Sequence, residues 1–371
     1  MSRKIRVGVV FGGRSGEHEV SLRSSRSVMD AIPRDRYEVV PIGITRDGQW
    51  IAGPTAHAEL QGELPPTTPA ALLPAPGEGA LQRISGGAGE RAMAPLAQLD
   101  VVFPVLHGPN GEDGTIQGLF ELADVAYVGC GVLASAVAMD KAAFKDVMRA
   151  NGIPVVEHVL LSRREILADV STAAAKVSAE LSFPVFCKPA NMGSSVGVSR
   201  AEDHAALLVG LAEAAKWDRR ILVERGVDAR EIEISVLGND APEASVPGEI
   251  KPCNDFYDYA AKYKTGDDSE LLIPAALPDG VADEMRAVAV KAFSLIDGAG
   301  LSRVDFLLER GTGNFYLNEI NTLPGFTSIS MYPKLWEASG VSYADLIHRL
   351  LQLAIERHEE KRSITRVFRS K

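Results

Sequence analysis

The chain has 371 residues, enough for two or three packed units of ordinary domain size. Apolar residues make up 46% and charged residues 24%, the balance of a globular protein and not of a disordered or fibrous one. A formal net charge of −10 argues against a general nucleic-acid or membrane-surface binder, so neither is expected as a partner. Cys130, Cys187 and Cys253 are odd in number and show no Cys-x-x-Cys spacing. They read as free thiols in a reducing compartment. Ser2-Arg3-Lys4 runs straight into a short apolar segment, and no apolar run approaches membrane-spanning length, so a cytoplasmic protein is expected.

Ile5–Phe11 reads as a buried strand, followed by the turn Gly12-Gly13-Arg14-Ser15-Gly16 and a helix to about Ile32. Tyr37–Ile44 reads as a second strand, and Val101–Leu106 as a third that leads into His107–Gly114. This alternation predicts a parallel sheet covered by helices. Between them, Gly53–Pro95 holds seven prolines and seven glycines in 43 residues. It predicts an inserted stretch of loops, with at most a small hairpin, outside the core. Asp140 is the expected N-cap of a helix from Lys141 to Ala150, stopped by Asn151-Gly152 and Pro154. Phe183–Pro189, Ile221–Glu224 and Glu231–Leu237 read as strands, and Asn191–Gly197 as a glycine-rich loop. Lys251–Glu270 is polar and aromatic, and too irregular for a core element. Tyr343 to about Arg357 reads as a helix packed through Ile347, Leu350, Leu351 and Ala354.

Leu301–Glu309 and Phe315–Asn321 read as a hairpin closed by Arg310–Asn314. Pairing symmetric about Thr312 sets Asp305 opposite Glu319 and Arg303 opposite Asn321, with all four side chains on one face. Val304, Phe306, Leu308 and Ile320 fall on the other. Two carboxylates and an amide carbonyl beside a guanidinium are hard oxygen ligands suited to Mg²⁺ and a nucleotide's phosphates. A solvated, salt-bridged hairpin would be the reading for two charges alone; four polar groups in register favour a site.

Other segments carry weaker signals. Lys188 ends a strand just before Gly193-Ser194-Ser195-Val196-Gly197, a turn that can offer backbone N–H groups and hydroxyls to phosphate, although an ordinary hairpin tip fits as well. Glu224 ends an apolar run and could accept from an exocyclic amine, with Arg225 and Val227 offering backbone groups to a purine edge. Glu231 could hold ribose hydroxyls; both carboxylates could equally be surface groups. Glu17 sits where a glycine-rich turn meets a helix start, well placed for a substrate ammonium. His107 lies at the C-terminal edge of a strand, where ligands bind in open α/β sheets. A dinucleotide-binding oxidoreductase is disfavoured, because Gly12-Gly13-x-x-Gly lacks the Gly-x-Gly-x-x-Gly order. A non-catalytic binding protein would have no use for the Asp305, Glu319 and Asn321 set.

Taken in order, Gly12–Glu17, His107–Gly114, Met139–Lys141, Lys188–Pro189, Gly193–Gly197, Arg303–Asp305 and Asn318–Gly325 resemble the motifs of the D-alanine–D-alanine ligase family. The resemblance spans almost the whole chain except the stretch near 53–95; its later motifs belong to ATP-grasp enzymes in general. It implies an α/β protein with α+β lobes: a parallel-sheet substrate domain at 1–128, a central ATP-grasp lobe at 129–222 and a C-terminal lobe at 223–371. A lid is implied at about 251–270. The implied activity is ATP-dependent joining of two D-alanines for peptidoglycan precursor synthesis, in a protein that is commonly a homodimer. D-lactate or D-serine is the alternative acceptor, with Tyr263 as the discriminating position.

By the same resemblance, ATP is contacted by Lys141, Lys188, Ser194, Ser195, Glu224, Arg225, Val227, Glu231, Phe256 and Lys262. Asp305, Glu319 and Asn321 bind two Mg²⁺ ions, with Mn²⁺ as a substitute. Arg303 and Gly325 face the developing oxyanion, and Glu17, Ser194 and Tyr263 form a hydrogen-bonded trio. Glu17 and His107 hold substrate, and Ser330 and Met331 hold the carboxylate of the second one. Ile329 departs from the polar residue of some relatives.

Overall fold

The computed structural model describes residues 3–64, 69–76, 80–86, 91–251 and 270–365. All but the end residues of the expected lid, with Phe256, Lys262, Tyr263 and Cys253, lie outside the described residues. The strands are β1 (Ile5–Gly12), β2 (Tyr37–Ile44), β3 (Trp50–Ala52), β4 (Pro69–Leu72), β5 (Ala80–Ser85), β6 (Ala92–Gln98), β7 (Val101–Val105), β8 (Ala126–Tyr127) and β9 (His158–Ser162). They continue with β10 (Val185–Pro189), β11 (Ser199–Ala201), β12 (Arg220–Arg225), β13 (Ala229–Gly238), β14 (Glu243–Ala244), β15 (Gly248–Lys251), β16 (Glu270–Leu272), β17 (Gly300–Glu309) and β18 (Phe315–Asn321).

The first sheet has the order β6-β5-β4-β3-β2-β1-β7-β8. Its centre is parallel, as the alternation of strands and helices predicts: β1 lies between β2 and β7, and β8 follows β7. The stretch 53–95 corrects its expectation. Three antiparallel strands, β4 to β6, continue the sheet beyond β3. Ala70, Leu72 and Leu81 are buried in one cluster with Val10, Ile42 and Val102, so this stretch does join the core. Proline and glycine mark its turns, while the sheet edge supplied by β3 makes strands of segments with weak intrinsic preference.

The second sheet, β11-β10-β12-β9, is antiparallel and is covered by the helices Val170–Glu180 and His204–Ala214. The third, β16-β15-β13-β17-β18 with β14 beside β13, buries alternate residues Ile232, Ile234 and Val236 against Val304, Phe306 and Leu308. The helices Lys141–Ala150 and Val281–Leu295 share that core through Phe144, Met148, Ala289 and Phe293.

The terminal helix runs over Tyr343–Ser363, beyond the expected Arg357. Ile347, Leu350, Leu351 and Ala354 pack into the first-sheet core. The extra turns dock through polar groups: Arg357 donates to the Gly129 carbonyl at 2.6 Å, and Lys361 pairs with Glu121. Cys130 and Cys187 are buried free thiols. Among the described residues, no helix is long and apolar enough to cross a membrane.

Candidate active site

The hairpin β17–β18 pairs antiparallel, with Arg303 opposite Asn321 and Asp305 opposite Glu319, as the symmetry about Thr312 predicts. Nearer the turn the register shifts, and Phe306 faces Leu317. This bulge decides which groups face out. A regular strand would put Phe315, Leu317, Glu319 and Asn321 on one side. The extra residue changes the alternation, so Phe315, Leu317 and Ile320 are buried while Glu319 and Asn321 stay half-exposed.

On that face Arg303 grips Asp305 with two bonds, Nε to Oδ1 at 2.7 Å and Nη2 to Oδ2 at 2.6 Å. Asn321 Nδ2 donates to Asp305 Oδ2 at 2.9 Å. Glu233 on β13 adds a second carboxylate 3.0 Å from Arg303 Nε. Burial opposes the guanidinium's charge, but Asp305 and Glu233 overcome it and raise the Arg303 pKa well above its usual value. Lys141 Nζ lies 3.2 Å from Glu319. Burial again opposes, and Glu319, Glu224 and Glu112 together raise the Lys141 pKa. Among the described residues no group of three or more His, Cys, Asp or Glu is arranged to hold a metal ion by itself. The donor set is two carboxylates and an amide, which suits Mg²⁺ completed by substrate phosphates and water. The carboxylates are neutralised here by Arg303 and Lys141, the cations a metal would partly replace.

Lys141 opens its helix because Asp140 accepts the N–H groups of Ala142 and Ala143, as its N-cap position predicts. Asp140 also pairs with Arg220 and accepts from Asn191 Nδ2 at 3.1 Å, which fastens the glycine-rich loop to the helix. In that loop Ser194 (φ 51°) and Ser195 (φ 58°) are both left-handed, unusual for serine. Lys141 Nζ donates to the Met192 carbonyl at 3.1 Å, under the same loop.

Lys188 reaches Glu224 Oε2 at 2.6 Å, while Lys145 approaches Oε1 at 3.0 Å. Burial would raise the Glu224 pKa; Lys145 and Lys188 instead lower it to about 2. The carboxylate expected to accept from an exocyclic amine is thus already shared by two ammonium groups. Arg225 pairs with Glu157 at 2.8 Å and lies over the Tyr316 ring. Val227 is half-buried just beyond it, and Glu231 is exposed on β13.

At the end of β1, Glu17 accepts from the Ser194 hydroxyl. A Cβ built on Gly108 would lie 2.9 Å from Glu17 Oε2, and one on Gly193 3.2 Å from it, so two backbones close around this carboxylate. The buried His107 bonds through Nδ1 to the Leu323 carbonyl at 3.0 Å. That carbonyl accepts from Nδ1–H, so the neutral ring carries its proton on Nδ1 and leaves Nε2 as a buried acceptor with no hydrogen-bond partner among the described residues. Burial lowers the His107 pKa and keeps the ring neutral. Glu112 accepts from the Gly108 N–H at 2.6 Å. Burial first, then Glu17 and Glu319, push its carboxyl up to about 8. Glu112 therefore senses both the Glu17 corner and the hairpin face.

Ser330 precedes the helix Met331–Ala338 and accepts from the Thr327 N–H at 3.1 Å. Gly325 lies against it, since a Cβ there would be 3.2 Å from Ser330 Oγ. The Met331 side chain is buried beside Gly248, which leaves the backbone as its polar part. Ile329 is 62% exposed.

Three residues escaped the sequence reading. Lys145 is four positions after Lys141 on one helix, a spacing that would have flagged a shared face. Glu233 sits opposite Asp305 on β13, a pairing with no local signature. Glu112 was visible only as part of a turn.

The N-terminal family description, D-ala D-ala ligase N-terminus, matches residues 6–130, and D-ala D-ala ligase C-terminus matches residues 147–352. The chain belongs to the D-alanine–D-alanine ligase family. A D-alanine–D-alanine ligase of a Thermoanaerobacter species is 50% identical over 363 residues, covering 96% of this chain and 98% of the relative. D-alanine–D-alanine ligase A of Bradyrhizobium diazoefficiens is 47% identical with 100% of both chains covered. Among solved structures, the D-alanine-D-alanine ligase from Coxiella burnetii superposes with a TM-score of 0.80 at 34% identity, covering 98% of this chain and 97% of that one. VanG D-Ala:D-Ser ligase from Enterococcus faecalis gives 0.83 at 32% identity, covering 95% and 100%. The fold is that of ATP-grasp ligases, and the D-alanine–D-alanine ligase family uses ATP and divalent metal on small-molecule substrates.

Proposed function

We propose that the chain joins two D-alanine molecules into D-alanyl-D-alanine at the expense of ATP, supplying a peptidoglycan precursor in the cytoplasm. The observation that carries this reading is the Asp305, Glu319 and Asn321 face beside Lys141, on the same chain as a Glu17 corner closed by Ser194. A carboxylate and an amine do not condense at neutral pH until the carboxylate has a leaving group. ATP transfers its terminal phosphoryl group to the first D-alanine, giving an acyl phosphate. The amine of the second then attacks the acyl carbon, and phosphate leaves.

Two Mg²⁺ ions, replaceable by Mn²⁺, would be held by Asp305, Glu319 and Asn321 and would neutralise phosphate charge. Lys141, Lys188 and the N–H groups around Ser194 and Ser195 cradle the phosphates. Glu224, Arg225, Val227 and Glu231 line the nucleoside end, with Phe256 assigned to adenine and Lys262 to ATP from sequence. Glu17 holds the ammonium of the first D-alanine, and the neutral His107 offers Nε2 as a further acceptor. Arg303 and the Gly325 N–H stabilise the oxyanion formed when the amine adds to the acyl carbon, usually the largest catalytic term. Ser330 and the Met331 backbone hold the carboxylate of the second D-alanine. We also propose units at 1–128, 129–222 and 223–371, each built around one sheet except that β12 of the second sheet runs across the boundary to Arg225, and a homodimer on family grounds.

D-serine or D-lactate as acceptor is the second reading; the likeness to a D-Ala:D-Ser ligase favours D-serine over D-lactate. Tyr263 is the sequence position assigned to this choice. The test is phosphate release from ATP with D-alanine, L-alanine, D-lactate and D-serine side by side. D-alanine alone should support full turnover. Equal release with L-alanine would defeat the assignment, and release needing added D-serine or D-lactate would select the second reading.

A further inference from the structure

Lys145 is a buried charge without a task in this reaction. It lies one helical turn after Lys141, with none of its side chain in solvent and its ammonium 3.0 Å from Glu224. Glu224 is 2% exposed, and its other oxygen accepts from Lys188 at 2.6 Å. Lys188 is the outer lysine, keeping 17% of its side chain accessible. One carboxylate of β12 thus receives an inner ammonium from a helix and an outer one from β10. A buried carboxylate stripped of its only cation is strongly disfavoured. Lys188 can leave Glu224 for a phosphate only if another cation stays behind.

We propose that Lys145 is a positioning residue for the nucleotide: it holds Glu224 permanently and so frees Lys188 to move from that carboxylate to a phosphate. The proposal rests on the reading of Lys188 as a phosphate ligand. A mere pin between helix and sheet would look the same at rest, but would not distinguish ligands with and without phosphate. Four cationic or titratable groups act on Glu224: Lys145 and Lys141 from the helix, Lys188 from β10 and His158 from β9. Burial lowers the Lys145 pKa and Glu224 opposes that shift, while Lys145 and Lys188 together hold the Glu224 carboxyl well below the usual carboxylate range. Without Lys145 the burial penalty is met mainly by Lys188, which is then pinned to Glu224, and the carboxyl titrates nearer neutrality.

The experiment is calorimetric titration of the full chain with ADP and with adenosine, in Mg²⁺, comparing wild type with Lys145→Met. Near neutral pH, ADP should bind about tenfold more weakly to the variant (about 1.4 kcal/mol), and adenosine within about twofold of wild type. At mildly acidic pH the ratio of ADP to adenosine affinity should recover in the variant, because protonated Glu224 releases Lys188, and stay flat in wild type. If Lys145→Met does not fold, Lys145→Met with Glu224→Gln removes the charges together, and its affinity ratio should match wild type. Equal losses for ADP and adenosine, or a double variant with a depressed ratio, would overturn the proposal. A wild-type protein binding ADP no better than adenosine would overturn the phosphate reading of Lys188 itself.

Discussion

Ser194 donates its hydroxyl to the carboxylate of Glu17, although 177 residues separate them. The bond ties the turn after β1 to the glycine-rich loop after β10, so the corner assigned to the substrate ammonium and the loop assigned to phosphate hold each other in place. Ser194→Ala should lower kcat/KM for D-alanine by about 10- to 100-fold, the range for losing a hydrogen bond to a charged group. ADP affinity should change far less. Steady-state kinetics with calorimetry checks this, and an unchanged kcat/KM would separate the bond from catalysis.

Glu319→Gln should abolish turnover and leave the melting temperature close to wild type, because Glu319 sits half-exposed on the hairpin face while Phe315, Leu317 and Ile320 carry the packing. Asn321→Ala should be milder and partly rescued by more Mg²⁺, since a neutral ligand contributes less to cation affinity. Wild-type rates for Glu319→Gln at ordinary Mg²⁺ would remove the metal assignment.

Glu112 gives a pH signature in the metal-free protein. Its folded pKa of about 8 lies above the ordinary carboxyl value of about 4.3. The neutral form is thus favoured in the fold. Its contribution to stability is fully present below the unfolded pKa and is lost as pH rises through about 8. Urea unfolding of wild type and Glu112→Gln across this range should show wild type losing ground to the variant as pH climbs. Parallel curves would contradict the half-buried, acid-facing environment of Glu112.

Gly197 closes the glycine-rich loop at φ 70°, and a Cβ there would meet the Trp217 ring at 2.5 Å. Gly197→Ala should cost about 1–3 kcal/mol of stability through left-handed strain and overpacking. It should also weaken ADP binding by displacing Ser194 and Ser195. Denaturant unfolding and calorimetry report the two effects separately; neither effect appearing would mean the loop tolerates a new register.

The sequence reading went furthest where partners are close along the chain. The Asp140 cap follows from the residues immediately beyond it. The Asp305–Glu319 pairing is expected from a turn symmetric about Thr312, but next to the turn the strands pair one residue off that symmetry and the bulge restores it. The bulge beside Asn318 was not legible, because it is set by burial of Phe315 and Leu317 against β13 and neighbouring helices, contacts made far along the chain. Glu233 and Lys145 were missed for the same reason: each acquires its partner only when β13 or the helix Lys141–Ala150 docks. Within Gly53–Pro95 the strands were not legible because Pro69, Pro95 and the nearby glycines signal loops, and only the edge of β3 turns the segments between them into strands.

Oxygen transfer from substrate to phosphate reports on the acyl-phosphate route itself. If an acyl phosphate forms, one carboxylate oxygen of the first D-alanine must leave with the phosphate when the second amine attacks. D-alanine labelled with ¹⁸O in its carboxylate should give inorganic phosphate carrying one labelled oxygen for every dipeptide made, read by mass spectrometry or by ³¹P NMR. Dipeptide formed with unlabelled phosphate would contradict the acyl-phosphate route and with it the roles assigned to Arg303, Gly325 and the Asp305–Glu319 face.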